Sequence, residues 1–186
     1  MQQLKTNLLH LACRHHIFEI MIEKAFVVCV GSSFGPEVAL FKRFQQQWQS
    51  NDHSKFTTLK NKETTAMLIN PSVVNDLIQF AEGCLNSIQP RDDYHELLQL
   101  WIVILGNVQP GGQMISFRQP GALHRARWMA KQIYAIKIYL FHEQFSLTAR
   151  ELKGLLDFIL FIVQVYLKAW FQAPLGIQAQ ELIFSY

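Results

Sequence analysis

The sequence predicts an all-α fold, a bundle of about six helices, and two observations carry that expectation. The first is three long apolar runs at helical spacing, Leu97 to Leu105, Trp128 to Leu140 and Leu155 to Leu167. Burying each large apolar side chain stabilises by roughly 1.5–3 kcal/mol, so these runs are expected to form the core. The second is a set of helix start and stop signals, among them Asn70-Pro71, Thr148 with Glu151, Gly106 and Pro174.

Taken in order, Asn7 to Ala12 is short and apolar, and it suits either one short strand near the N-terminus or the opening of a helix. From Cys13 a helix is expected, with Ile17, Ile20, Met21, Lys24 and Val28 recurring on one face and Glu19 and Glu23 as an acidic edge. Gly31-Ser32-Ser33 ends it. A second helix opens at Pro36 and runs through Trp48, with Val38, Leu40, Phe41 and Phe44 on its apolar side and Lys42 and Arg43 on the other. Residues 49–66 lack periodicity and are rich in Ser, Thr, Asn and Lys, which predicts an exposed loop open to nicking.

Asn70 caps the third helix and Pro71 fits its first turn, where a missing N–H leaves no bond unmade. That helix is expected to run to about Asn86, with Val74, Leu77, Ile78, Ala81 and Leu85 inward. Asp93 and Glu96 have capping-box spacing before the run that stops at Gly106. The link Gln109-Pro110-Gly111-Gly112 leads to Pro120 and Gly121, read as the start of a central helix through Tyr139. Thr148 and Glu151 form a capping box opening the last long helix, which Pro174 ends.

At 186 residues the chain is expected to be a single helical domain. It is 50% hydrophobic and 17% charged, which excludes disorder for most of its length. A net charge of +3 does not by itself mark a nucleic-acid binder. Cys13, Cys29 and Cys84 are odd in number and lack metal-type pairing, so all three read as thiols of a reducing, intracellular protein. The start does not make a signal peptide. Leu155 to Leu167 is too short for a membrane span and contains Asp157 and Gln164, so it reads as a buried helix with no membrane partner.

Two groups carry candidate chemistry. His124, Arg127 and Lys131 fall at i, i+3 and i+7 and share one helix face. Trp128, Ile133, Ala135, Ile136, Tyr139 and Leu140 fill much of the rest. That basic stripe, with Lys42 and Arg43, is the candidate nucleic-acid face; the plainer reading is a solvated face whose stems cover apolar surface. Cys13-Arg14-His15-His16 offers two corners of a zinc site or an imidazole-activated thiol. Against both stands a buried cysteine with histidines bonded to backbone. No metal site, catalytic set or phosphate loop can be assembled.

Leu8-Leu9-His10-Leu11-Ala12 running into Cys13-x-x-His16, with Arg127-Trp128 on a later helix, resembles the catalytic region of eukaryotic hAT-like cut-and-paste DNA transposases and a group of uncharacterised transposon-derived proteins. The resemblance implies that residues 1–16 end an RNase H-like core and that 17–186 form its helical insertion. It makes Cys13, His16, Arg127 and Trp128 family-motif residues and implies a nuclear location. The family's first two aspartates would precede Cys13, where no acidic residue stands. A third acid is expected on a later helix, but nothing around Glu181 resembles one. Two-metal phosphoryl chemistry needs carboxylates holding ions about 4 Å apart. The expectation is therefore a fragment or domesticated remnant that contacts DNA weakly, cuts nothing, and holds no cofactor or metal; Mg²⁺ would belong only to a complete transposase. The apolar ending Leu-Ile-Phe-Ser-Tyr is expected of a chain cut short. Its partners would be DNA, the rest of a transposase-like protein, or a second copy. The alternative is a helical protein-interaction domain without nucleic-acid function.

Overall fold

The computed structural model describes residues 14–31, 38–61, 70–87, 91–107, 116–121, 127–166 and 169. Among them the fold is all-helical, with six α-helices and no strand. They are α1 (Arg14–Cys29), α2 (Ala39–Gln47), α3 (Pro71–Leu85), α4 (Asp92–Ile104), α5 (Arg127–Leu140) and α6 (Ala149–Phe161). Residues 7–12, where a short strand had room, lie outside the described residues, as does the expected stop at Pro174.

The core is built around α5. From Met129 to His142 every side chain is buried except Lys131, which is half-buried. α4 packs along one side of α5, and α6 and α1 pack along others; α3 lies against α4. Aromatic edges lock the seams: Phe26 of α1 meets Phe158 of α6 with centroids 5.2 Å apart, and Phe41 of α2 stacks on Tyr134 of α5 at 4.9 Å. Such pairs contribute about 0.5–1.5 kcal/mol beyond burial of their area.

Local signals explain several helix ends. The Asn70 side chain accepts from the Ser72 amide with Pro71 just inside α3. The Thr148 hydroxyl accepts from the Glu151 N–H while the Glu151 carboxylate accepts from the Thr148 N–H, a complete capping box for α6. Gly106 has φ +85° after α4, and the Gly106 and Asn107 amides donate to the carbonyls of Val103 and Ile102. That geometry satisfies two carbonyls the helix leaves open, and only glycine adopts it cheaply. Gly31, at φ +111°, ends α1.

Four expectations need correction. α1 buries Phe18, Ile22 and Phe26 and turns Ile20 and Val28 outward, because its apolar residues are spread around the helix and its own sequence does not choose a face. Pro120 and Gly121 are not helical; they belong to a strap without regular secondary structure, residues 116–121, held by Tyr134 Oη donating to the Gly121 carbonyl (2.6 Å) and by Gln45 Nε2 donating to the Pro120 carbonyl. Asp93 and Glu96 do not box α4. Asp93 pairs with Arg91, while Glu96 reaches across to α5.

The fourth concerns the loop expected over 49–66. Asn51, Thr57, Thr58 and Leu59 are buried, and the Thr57 amide donates to the Leu140 carbonyl (2.8 Å). The Gln144 side chain holds the Asp52 amide and the carbonyls of Asp52 and Lys55, so this part is packed onto the core. Residues 62–66 lie outside the described residues. Past Phe161 the chain winds into a π-helical turn, Ile162–Tyr166, with Tyr166 edge-on to Phe18.

Candidate functional site

The basic residues expected on one nucleic-acid face divide between uses inside the fold and exposure. Lys42 and Arg43 lie on the outer side of α2 because Leu40, Phe41 and Phe44 take the inner one. The Arg43 guanidinium donates to the Ser146 carbonyl (3.1 Å), pairs with Glu151 (3.3 Å) and sits 5.1 Å from the centre of the Phe145 ring. It clamps α2 to the start of α6. Lys131 lies across α1, its ammonium 5.4 Å from the Phe26 ring centre. Such contacts are worth about 0.5–1 kcal/mol where exposed, so this stem serves the α1–α5 seam. Lys42 is exposed.

Arg127 and Trp128 open α5, but their side chains lie outside the described residues, as does all of His124. Cys13 also lies outside, and His16 is described only as backbone in the first turn of α1. Neither Cys29 nor Cys84 is in a disulfide, and both are half-buried. Burial pushes both thiols up from their ordinary range, with Asp157 adding to the effect at Cys29, and that weakens them as nucleophiles.

A cation without a role in the sequence-based expectations is buried in the core. Lys137 is fully buried, and its ammonium donates to Glu96 (2.5 Å) and to the Arg118 carbonyl (2.7 Å), with the Trp48 ring centre 5.4 Å away. One side chain thereby joins α5, α4 and the strap. Burial drives its proton affinity below the ordinary lysine range, and the Glu96 carboxylate opposes that. A signal existed: Lys137 stands alone within the continuous apolar run Ile133 to Phe141, where solvated lysines are not expected. Gln132, one turn earlier, is fully buried with neither amide atom hydrogen-bonded among the described residues.

The most exposed large apolar side chains described are on α1. Val28 is 83% exposed, Ile20 43% and Val27 41%. Glu23 and Lys24 stand between them in the helix and are exposed too. The opposite face, Phe18, Ile22 and Phe26, is wholly in the core, so the outer ridge is held rigidly. Among the described residues no group of three or more His, Cys, Asp or Glu is arranged to hold a metal, and no helix is long and apolar enough to cross a membrane. No family model, curated protein or solved structure matches the chain.

Proposed function

We propose that this chain is a helical protein-interaction module whose contact face is the outer ridge of α1 and whose partner is a second copy of itself. The observation that carries the proposal is the ridge of Ile20, Val27 and Val28, apolar and open on a helix anchored by its other side. A single exposed apolar residue is ordinary, but several along one helix face mark a contact surface. Their charged neighbours favour a self-match. Antiparallel pairing about a two-fold axis between Glu23 and Lys24 sets Ile20 of one copy against Val27 of the other, and Glu23 against Lys24, each twice. Opposite charges in register fix the alignment.

Sedimentation velocity over a concentration series tests this. Wild type is expected to dimerise as concentration rises, Ile20→Glu with Val27→Glu to stay monomeric, and Glu23→Lys to weaken the dimer through two Lys–Lys contacts. Adding Lys24→Glu to Glu23→Lys restores opposite charges and the dimer. A wild type that stays monomeric throughout, or an ionic swap that fails to rescue, overturns the reading.

A second reading, a transposase-derived remnant making weak DNA contact, is supported by Arg127 and Trp128 opening α5 and by the exposed Lys42. Arg43 and Lys131 do not favour it, since both are engaged by neighbouring elements of the fold, Arg43 by Glu151 and Lys131 by Phe26. Each phosphate neutralised steepens the fall of log affinity with log salt by roughly 0.9. A salt titration against a labelled duplex is expected to show a shallow slope that falls further in Lys42→Ala plus Arg127→Ala. No binding at low salt removes this reading.

A further inference from the structure

Where α3, the 3₁₀ turn Leu59–Asn61 and the end of α4 converge, the structure holds an open cavity of about 480 Å³. That volume falls within the roughly 300–1,000 Å³ of small-molecule sites. Leu59 and Leu105, both buried, contribute apolar surface at its base, and Val74 and Ile78 of α3 add a half-buried wall. Asn75 and Gln79 accompany them because α3 offers one continuous face at i, i+1, i+4 and i+5. The polar complement is therefore two amides from α3, joined by Asn107, whose amide is held by Glu82 (3.1 Å).

Among the described residues that line the cavity one is charged, Lys60, and the path of its stem is built in. Gly106, at φ +85°, leaves the space into which the Lys60 stem packs; a Cβ there would lie 2.8 Å from Lys60 Cβ and 3.0 Å from its Cδ. The stem is thus seated on the Gly106 backbone, and the ammonium has no ion-pair partner among the described residues. The α4 stop signal and the cavity cation are one local arrangement.

We infer that this cavity binds a small amphiphilic carboxylate, its apolar tail between α3 and Leu105 and its carboxylate on Lys60. Charge complementarity argues for the anion: a single positive side chain beside apolar walls recognises one negative headgroup, and a charge-assisted hydrogen bond is about twice as strong as a neutral one. The rim amides of Asn75 and Gln79 serve the remaining carboxylate lone pairs.

The test is an NMR titration of the ¹⁵N-labelled chain with decanoate and, separately, decan-1-ol, both below their aggregation concentrations. Decanoate is expected to shift the amides of Gln79, Gly106 and Asn107 and to bind about tenfold tighter than the alcohol, the difference one lost charge-assisted contact makes. Lys60→Met keeps a stem on Gly106 and removes the charge, and it is expected to make the two ligands equivalent. Ile78→Trp fills the wall and abolishes both. Absence of shifts with either ligand, shifts confined to another surface, or equal binding of acid and alcohol by wild type overturns the inference. The wild-type comparison decides even where a variant fails to fold.

Discussion

Lys137 illustrates how one residue sets the terms for its surroundings. A fully buried ammonium survives because Glu96 and the Arg118 carbonyl replace its hydration. Removing one partner of a buried pair costs about 3–5 kcal/mol, and Glu96 keeps some solvent contact, so Lys137→Met is expected to lose about 3 kcal/mol in urea unfolding. Adding Glu96→Leu should restore most of it, since apolar replacement of both partners is often neutral. A loss below about 1 kcal/mol in the single variant would show the pair to be incidental.

The same residue predicts a pH dependence. The folded proton affinity of Lys137 is depressed, so as pH rises from that value towards the ordinary 10.5 the unfolded chain binds more protons and wild-type stability gains. Burial raises Cys29, Cys84 and Tyr134, which act oppositely: the folded chain keeps their protons longer, and stability falls as pH climbs past their ordinary values. The informative quantity is therefore wild type minus Lys137→Met, in which those three cancel. That difference is expected to move in favour of wild type as pH rises towards 10.5, and a flat or falling difference contradicts it.

Between elements, the crossing of α1 and α6 depends on a missing side chain. A Cβ at Gly154 would lie 2.3 Å from the Cys29 carbonyl oxygen and 3.3 Å from Val30 Cα, so the backbones meet there directly. Neither contact is the flexible end of a side chain, and relief requires the helices to separate. Gly154→Ala is expected to destabilise by about 1–3 kcal/mol despite alanine's higher helix propensity. A thermal melt equal to or above wild type would mean that α1 and α6 shift apart at little cost. α6 itself rests on local signals, the Thr148–Glu151 box at its start and Arg43 held against that box.

For the molecule as a whole, the connection after α2 closes the core. Trp48 meets His53 at a tilt with ring centres 4.3 Å apart, Phe56 meets Phe117 at 5.5 Å, and Phe117 meets Phe141 at 5.0 Å, so the connection and the strap 116–121 are joined to the end of α5. Gln144 supplies three hydrogen bonds to this connection through its side chain. Lys55 has an exposed side chain on a tethered backbone, so trypsin is expected to cut after it slowly. Each lost bond lowers the opening cost by about 0.5–1.5 kcal/mol, which gives Gln144→Ala at least a tenfold faster cut there. Equal rates in both proteins would mean that the aromatic contacts alone hold the connection.

The sequence by itself determined the helical class and many of the element ends, because those depend on residues within four positions of one another. The Asn70 cap, the Thr148–Glu151 box and the Gly106 stop are such cases, and so is the division of α2 between Phe41 and Phe44 inside and Lys42 and Arg43 outside. Tertiary structure decided what local spacing leaves degenerate. α1 is apolar on several faces, and the elements packed against it, α5 and α6 with Phe41 of α2 and Tyr166 of the π-helical turn, select Phe18, Ile22 and Phe26 for the core and leave Ile20 and Val28 outside. Glu96 has capping-box spacing from Asp93, yet Lys137, 41 positions away, outbids a local cap because a buried cation has no water to fall back on. The basic stripe was legible as charge, but Arg43 and Lys131 acquire structural roles only when Glu151 and Phe26 arrive from other helices. Likewise the α3 cavity has no linear motif: Lys60 and Gly106 are brought together by folding, and their spacing in the chain says nothing of it.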